Sequence, residues 1–369
     1  MLTIKEVKTS RELKRFIRFP YRLYRAFPMW VPPLMVQIKD TLNPKKNPFF
    51  GHAAVQHFVA QKNGRTAGRI TAIVDDNYIR FQQEKAGFFG YYETIYDKEV
   101  SNRLLAAAET YLRNQGMKVM RGPINLTTNN ECGLLIKGFE LPPVIMMPYN
   151  PPYYQELLDD YGLQKGMDLY AYLMREQDVG ERIRRYMELI RLPEGYTIRP
   201  INMKRLHQEI QKVKIIYNQA WEKNWGFVPM EDAEIDHLAK ELKMIVHPDI
   251  LLMVEKDGEP IGFALSLPDI NYALSKLNGR LLPFGLFKLL YYKNKTKTIR
   301  TIIMGVLKEH RRKAIAPMLY LKTIENGLRV GFNQAECSWI LENNRAMNRD
   351  LVRLGAKRYK TYRIYEKTL

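Results

Sequence analysis

A run of cations and small residues is the part of the sequence whose residue types could bind a charged ligand. It reads Arg311-Arg312-Lys313-Ala314-Ile315-Ala316. Apolar residues recur at helical spacing from Met318 onwards, and Pro317 suits a first helical turn, so this run predicts the start of a helix. The free N–H groups and the positive dipole end of a helix start bind anions. The run therefore predicts a phosphate site, with an ordinary solvated corner between a strand and a helix as the alternative.

Three side chains near this run could accept a proton. Glu309 and His310 follow a predicted buried strand that contains Ile302, Ile303 and Val306, and Glu342 ends the next strand along the chain. A base at a strand end beside a ligand cleft is well placed for proton transfer. The alternative for each is a solvated charge or a helix cap, because charged side chains are normally exposed.

An asparagine-rich segment at 121–133 combines neutral amides and hydroxyls without a run of charges. Such side chains suit recognition of a polar substrate, and the candidates are Asn125, Thr127, Asn129 and Asn130. The alternative is a surface loop, because such loops are rich in the same turn-forming residues.

Two further segments are apolar where a loop is expected. Trp30-Val31-Pro32-Pro33 could line a pocket, but covering a core is the favoured interpretation. Residues 280–295 are apolar and aromatic with flanking cations. They could lie on an anionic membrane, form a lid, or pack on the rest of the chain; a lid or packing is favoured because Pro283 and Gly285 interrupt any amphipathic helix.

The elements that must position these residues occur twice. Residues 59–68 resemble 254–262, with Gly64 matched by Gly258 194 residues later. Each segment is a strand, an Asn-Gly or Asp-Gly turn and a second strand, which is a strong hairpin signal. Matched features before and after the hairpins follow in the same order. The sequence therefore predicts an α/β fold with mixed sheets and two tandem domains, residues 1–185 and 186–369.

Composition limits the class of protein. The chain has 369 residues, a formal net charge of +19 and two cysteines. The sequence contains no run of 18 or more apolar residues, so no membrane span is predicted. Two cysteines make no disulfide framework, so a cytoplasmic location is expected. The charge favours anionic partners. The sequence contains no zinc-finger or RNP-type spacing, so nucleic-acid binding is not expected. It also contains no metal-ligand spacing of His, Cys, Asp or Glu, so no metal site is expected.

The order of elements, with the cationic run after the fourth strand of the second copy, resembles the GCN5-related N-acetyltransferase (GNAT) superfamily. That family's acyl-CoA loop has the pattern Gln/Arg-x-x-Gly-x-Gly/Ala, and here Ala314 replaces the first glycine while Ala316 fits the last position. Asn344 and Gly355 match the family's fourth-helix signature. The whole chain resembles a bacterial tandem-GNAT family with a Trp-Val-Pro-Pro motif and a Met-Pro-Tyr-Asn run, here 147–150.

The resemblance implies acetyl-CoA or another acyl-CoA as co-substrate, bound in the second copy. The pantetheine would insert between the fourth and fifth strands, and the pyrophosphate would lie on the N–H groups of 312–316. The residues implied to bind the cofactor are Met304, Val306, Leu307, Arg311, Arg312, Lys313, Ala314, Ile315, Ala316 and Asn344. In the first copy the matching loop contains Asp97 and Glu99, which repel phosphate. We therefore expect that copy to be a degenerate scaffold and substrate wall.

The implied activity is transfer of an acyl group from acyl-CoA to the nitrogen of an amine, either a small molecule or an aminoacyl group. The tyrosine that many family members use as an acid, seven residues after Asn344, is Leu351 here. Two alternatives stay open for that reason. One is a non-catalytic protein that binds CoA or another ligand. The other is a membrane-surface acyltransferase that uses long-chain acyl donors, with 280–295 on the membrane.

Overall fold

Local sequence signals fix the helix and hairpin ends seen in the computed structural model, which describes residues 1–181, 183, 185, 189, 191–311 and 315–369. Thr9 and Glu12 form a reciprocal capping box at the first helix, which pairs N–H groups that have no partner inside the helix. Both predicted hairpin turns have two residues with positive φ: 51° and 76° at Asn63-Gly64, and 50° and 87° at Asp257-Gly258. These values are typical of a type I′ turn, whose twist matches that of the flanking strands.

The first half of the chain contains seven strands and five α-helices within its described residues. In chain order they are β1 (Leu2–Glu6), α1 (Ser10–Leu23), α2 (Met35–Thr41), β2 (Ala53–Lys62), β3 (Arg65–Asp75), α3 (Asp76–Gln82), β4 (Ala86–Thr94), α4 (Lys98–Asn114), β5 (Val119–Gly122), β6 (Leu134–Lys137), α5 (Tyr154–Asp160) and β7 (Gln164–Arg175).

The second half follows a closely similar order. Its elements are β8 (Tyr196–Pro200), α6 (Leu206–Ala220), α7 (Asp232–Leu242), β9 (Leu251–Lys256), β10 (Glu259–Pro268), α8 (Asn271–Leu274), α9 (Gly285–Tyr292), β11 (Thr298–Val306), α10 (Ile315–Arg329), β12 (Gln334–Leu341), α11 (Arg345–Arg353) and β13 (Lys357–Thr368). Short 3-10 helices lie at Tyr24–Ala26, Pro48–Gly51, Glu176–Asp178, Met203–Arg205, Pro248–Ile250, Lys293–Lys295 and Lys308–His310. Among the described helices, none has both the length and the apolar composition of a membrane span.

All strands join one mixed sheet, and the last strand of each half lies in the other half. The order is β1-β2-β3-β4-β5-β13-β7-β12-β11-β10-β9-β8, with β6 paired to β13. Thus β13 from the end of the chain lies between β5 and β7, and β7 lies between β13 and β12. The mixed α/β class predicted from the sequence is confirmed, whereas the boundary between 185 and 186 stays a prediction.

A buried polar seam joins the two halves on one face of this sheet. The guanidinium of Arg300 on β11 is fully buried. Its Nη1 donates to the carbonyls of Ile145 and Met146, each at 2.9 Å, and its Nε donates to Ser338 Oγ at 3.0 Å. A buried guanidinium is tolerated only when its donors are paired. Arg300 therefore fixes the long β6–α5 connection of the first half against the strands of the second.

The strand exchange makes a prediction about the two halves of the chain. Cut between Glu181 and Pro193 and expressed separately, each half should fail to fold, because neither β5 nor β12 would have its exchanged neighbour. Expressed together, the halves should assemble, since β7 and β13 can pair across the cut.

The measurement is co-purification through a tag on the first half, with circular dichroism of each half alone. Cooperative thermal unfolding of either isolated half would contradict this dependence.

Candidate functional site

The strands β11 and β12 separate at the point where the sequence predicts the cofactor. They pair in parallel only from Thr298 with Gln334 to Thr301 with Cys337. Beyond these residues β11 continues to Val306 and β12 to Leu341, and Met304 lies on the unpaired part. A gap between two strands leaves backbone N–H and C=O groups that can pair with the amides of an inserted ligand. We call this gap the β11–β12 slot.

A narrow cavity of about 50 Å³ lies beside the slot, among β11, α10 and α11. Met304, Tyr320 and Leu351 are among its lining residues. Leu351, at the position of the family's usual acid, is fully buried. Burial raises the pKa of the Tyr320 phenol, so this tyrosine stays neutral and keeps a proton that it can donate.

The predicted phosphate loop is described only at its ends. Arg311 Nε donates to the Val306 carbonyl at 2.9 Å, and its Nη2 donates to the Ala220 carbonyl at 2.6 Å. Its guanidinium thus ties the end of β11 to the end of α6. Arg312, Lys313 and Ala314 lie outside the described residues. Ile315 and Ala316 form the first turn of α10.

Two of the three predicted bases have partners within the protein. His310 Nδ1 lies 2.8 Å from the Tyr196 hydroxyl. The carboxylate of Glu342 accepts from Lys165 Nζ at 2.7 Å and from the Asp168 N–H at 3.1 Å. Glu309 is exposed. Asn344 caps α11, accepting from the Met347 N–H at 3.2 Å.

The equivalent gap in the first half is filled by the protein's own chain. Pairing of β4 with β5 ends at Phe88 with Arg121. The segment that follows β5 then returns to β4: the Ile124 N–H donates to the Phe89 carbonyl at 2.8 Å, and Asn125 Oδ1 accepts from the Tyr91 N–H at 2.7 Å.

A carboxylate also occupies the helix start where a first-half phosphate would lie. Asp97 caps α4 by accepting from the Val100 N–H at 3.2 Å, and Lys62 Nζ lies 2.5 Å from the same carboxylate. An anion at this helix start would meet a like charge.

A cavity of about 640 Å³ that the sequence did not predict lies between the two halves. It lies among α1, α2 and β4 of the first half and α7, α8 and α9 of the second. Most of its lining side chains are apolar or aromatic, and they include Trp30, Val31, Leu34, Met146, Leu242, Leu274, Leu286 and Leu289. The Trp30-Val31-Pro32-Pro33 run, interpreted from sequence as core cover, therefore lines a pocket instead.

A carboxylate whose side chain is only 14% exposed lies in the lining of this cavity. Glu93 Oε2 accepts from the hydroxyls of Tyr24 at 2.6 Å and Tyr154 at 2.8 Å, and Arg69 Nη2 lies 3.7 Å from Oε1. Burial raises the pKa of Glu93, and this effect outweighs the opposing influence of Arg69 and the two hydroxyls. Arg69 Nε is buried without a hydrogen-bond partner among the described residues.

This arrangement can carry out proton transfer. A carboxylate with a raised pKa is a stronger base than an exposed one, and burial strengthens its attraction for an ammonium group. Glu131 lies in the same cavity, and burial raises its pKa as well, partly offset by a hydrogen bond from Asn125. Sequence reasoning missed Glu93 because it lies in a strand of mostly apolar residues. Its partners lie 69 and 61 positions away along the chain.

The four predicted substrate-binding residues divide between two places. Asn125 and Asn130 line the large cavity. Asn129 instead links the halves, because it accepts from the Tyr217 hydroxyl at 2.6 Å and donates to the Val228 carbonyl at 3.2 Å. Thr127 is buried in the same loop. No group of three or more metal-ligating side chains is found in the part of the chain that the structure describes.

Solved structures define the class of fold. A tandem GNAT protein from the clavulanic acid biosynthesis pathway, solved without acetyl-CoA, matches with a TM-score of 0.61 at 13% identity, over 100% of this chain and 98% of that one. Such a likeness concerns the fold alone. The protein therefore has the tandem GNAT fold that the sequence predicts.

Two curated proteins then identify the family, although no known protein-family model matches the sequence. The bacterial ceramide synthase of Caulobacter vibrioides (strain NA1000 / CB15N) is 40% identical over 376 aligned residues, 100% of this chain and 98% of that protein. Protein YghO of Escherichia coli (strain K12) is 39% identical over 369 residues, 98% of this chain and 94% of YghO. The chain belongs to the bacterial family that contains these two proteins.

The raised pKa of Glu93 gives a prediction about stability. A carboxyl whose pKa is higher in the folded state destabilises the fold as the pH rises from its ordinary pKa of 4.5 through its folded pKa. Glu93→Gln, which mimics the neutral form, should therefore raise the melting temperature at pH 8 and leave it nearly unchanged at pH 4.

Melting curves of the parent and the variant across this pH range measure the difference. Glu194→Gln, at an exposed loop position, is the matched control and should show no such trend. A gain for Glu93→Gln that is equal at both pH values would mean that its carboxyl is not destabilised by burial.

Proposed function

We propose that this protein is an acyl-CoA-dependent N-acyltransferase that joins a fatty acyl group to the amino group of a long-chain amine. The observation that carries the proposal is the large cavity, whose lining side chains are mostly apolar or aromatic and include the Glu93 carboxylate. Its volume of about 640 Å³ lies within the range of cavities that enclose most of a small ligand. An alkyl chain fits the walls, and an ammonium group fits Glu93.

The name of one relative supports the same substrate class. A ceramide is the amide of a fatty acid with a long-chain amino alcohol, so a ceramide synthase forms an amide on a lipid amine. That protein is 40% identical to this chain over nearly its whole length. Lipid amines are therefore favoured over the small-molecule and aminoacyl acceptors expected from sequence.

In the proposed reaction, Glu93 takes a proton from the ammonium group of the acceptor. The neutral nitrogen attacks the thioester carbon, forming the C–N bond. It then loses a second proton as the C–S bond breaks, and the released thiolate takes up one proton, so the products are the amide and the CoA thiol. Tyr154, on the last helix before β7, and Tyr24 each bring a hydroxyl within hydrogen-bond distance of Glu93. They are the candidates for donating to the carbonyl oxygen or to the leaving thiolate. This would replace the tyrosine that is absent at Leu351.

The acyl-CoA remains assigned to the loop 311–316 and the β11–β12 slot. Five strand positions separate β4 from β11, which is about 24 Å along the sheet. The thioester would have to cross the region of Met146 and Met147, which line the cavity. Met147 also contacts Ser338, next to the slot, with a distance of 3.4 Å between Sδ and Oγ. The acyl group would therefore approach Glu93 through the wall formed by these methionines.

Two variants test the assignment separately. Glu93→Gln should lower kcat by about 10²–10⁴-fold, which is typical for loss of a general base, without changing acyl-CoA affinity. Arg312→Glu combined with Lys313→Glu should instead weaken acyl-CoA binding, because it replaces two cations with two anions.

The assay is amide formation from palmitoyl-CoA and a long-chain amino alcohol, followed by mass spectrometry, with binding of palmitoyl-CoA measured by calorimetry. Glu194→Gln is the control for both. Amide formation by Glu93→Gln at the parent's rate would place the base elsewhere. Unchanged binding by the loop variant would remove the donor from that loop, and no product with any amine would favour a non-catalytic binding protein.

A further inference from the structure

The connection between β10 and β11 carries exposed apolar side chains beside the large cavity. Leu282 is 79% exposed, Phe284 70%, Phe287 71% and Tyr291 60%. Large apolar side chains at such exposure, gathered on one segment, mark a surface that contacts something outside the chain. We call these four residues the entry face.

Helix α9 has two apolar sides with different surroundings. Leu286, Leu289 and Leu290 line the cavity. Phe284 lies just before the helix, Phe287 follows three residues later, and Tyr291 four residues after that. This spacing aligns the three side chains along another side of the helix. The helix therefore separates the cavity from the outside and is apolar towards both.

The opening of the cavity is apolar as well. Val36, Met244, Leu286 and Leu290 line the cavity and are 51%, 80%, 46% and 52% exposed. Because these side chains belong to the cavity wall and to the surface together, they form its rim. Gln37 and Glu241 also line the cavity and are exposed, and the apolar members of the rim offer an alkyl chain a path into the cavity.

The charges around the entry face have one sign along the chain. No aspartate or glutamate occurs from residue 270 to 308. Exposed cations in the same stretch are Lys276, Arg280, Lys288, Lys295, Lys297 and Lys308. Acidic groups lie across the cavity, where Asp40 is paired with Lys46 at 2.7 Å and Glu241 lies 3.5 Å from His237 Nε2.

We propose that the entry face docks on the surface of an anionic lipid bilayer, with α9 at the level of the headgroups and the cavity opening towards the acyl chains. Aromatic and aliphatic side chains enter the interface while the lysines and Arg280 lie among the headgroup phosphates. A lipid amine can then pass from the membrane to Glu93 without crossing water. This last step rests on the proposed function, whereas the docking itself does not.

A bilayer suits this surface better than a second copy of the chain. The entry face brings cations with its apolar groups, and the whole chain carries a net charge of +19. Two such faces placed together would bring like charges close to each other. An anionic lipid surface provides both the apolar layer and the opposite charge.

Vesicle co-sedimentation of the full-length protein tests the docking. The vesicles contain equal parts of phosphatidylcholine and phosphatidylglycerol, with phosphatidylcholine alone for comparison. The parent should bind the anionic vesicles more strongly. Phe284→Gln combined with Phe287→Gln should lower the partition coefficient by about tenfold, and Lys288→Glu combined with Lys295→Glu should remove the preference for anionic lipid.

The control is Ile215→Gln combined with Val352→Gln, which alters side chains 55% and 60% exposed on other helices; it should bind like the parent. Equal binding by the phenylalanine variant and the parent overturns the proposal. The proposal is also overturned if the entry face pairs two copies of the chain. In that case the parent protein would be a dimer, the phenylalanine variant would be a monomer, and the parent would not bind vesicles. Loss of the lipid preference on adding free CoA would assign the cations to CoA phosphates and also overturn it.

A second readout separates this proposal from the proposed function. Amide formation is measured with a short-chain amine that dissolves in water. Activity on that amine without any vesicle binding would contradict the proposed membrane docking but not the proposed enzyme activity. Vesicle binding without amide formation from any amine would contradict the proposed enzyme activity but not the docking.

Discussion

The exchange of final strands between the two halves is the constraint on which the rest of the structure depends. β13 pairs with β5 on one side and β7 on the other, and β7 pairs with β12. Each exchanged strand lies in the interior of the sheet, so its backbone groups are paired on both sides. The two halves consequently cannot move apart without breaking the centre of the sheet, and a cavity built from both of them keeps its shape.

Buried charge at the seam fixes the cavity wall in the same way. Arg300 holds the carbonyls of Ile145 and Met146, and Asp269 Oδ1 accepts from the N–H groups of Ile145 and Asn271. Burial raises the pKa of Asp269 to about 7. Leaving a buried charge without its partner costs about 3–5 kcal/mol. The segment at 145–146 of the first half is thereby held by Arg300 of β11 and by Asp269, which follows β10. Asp269 also holds Asn271, at the start of the insertion that covers the cavity.

Sequence reasoning predicted what depends on neighbours along the chain. The turns at Asn63-Gly64 and Asp257-Gly258, the strand that ends at Val306 and the helix with Pro317 in its first turn follow from local patterns. The mixed α/β class followed from their order. The strand exchange did not, because a strand pattern specifies which face is buried and not which strand lies beside it. Glu93 was missed for a related reason: it looks like one charge in a strand until Tyr24 and Tyr154 are placed next to it.

The two halves differ at the places where the sequence predicts a cofactor and an acid. In the first half, Asp97 occupies the helix start and the segment after β5 fills the gap between strands, yet Glu93 and a wide cavity remain. In the second half, β11 and β12 stop pairing after Thr301 and Cys337, and Leu351 lies at the position of the family's usual acid. A cavity of this size costs stability wherever it lies, since its wall atoms lose packing partners. The exchanged strands offset this loss of stability, because they pair residues from both halves of the chain in the sheet beneath the cavity.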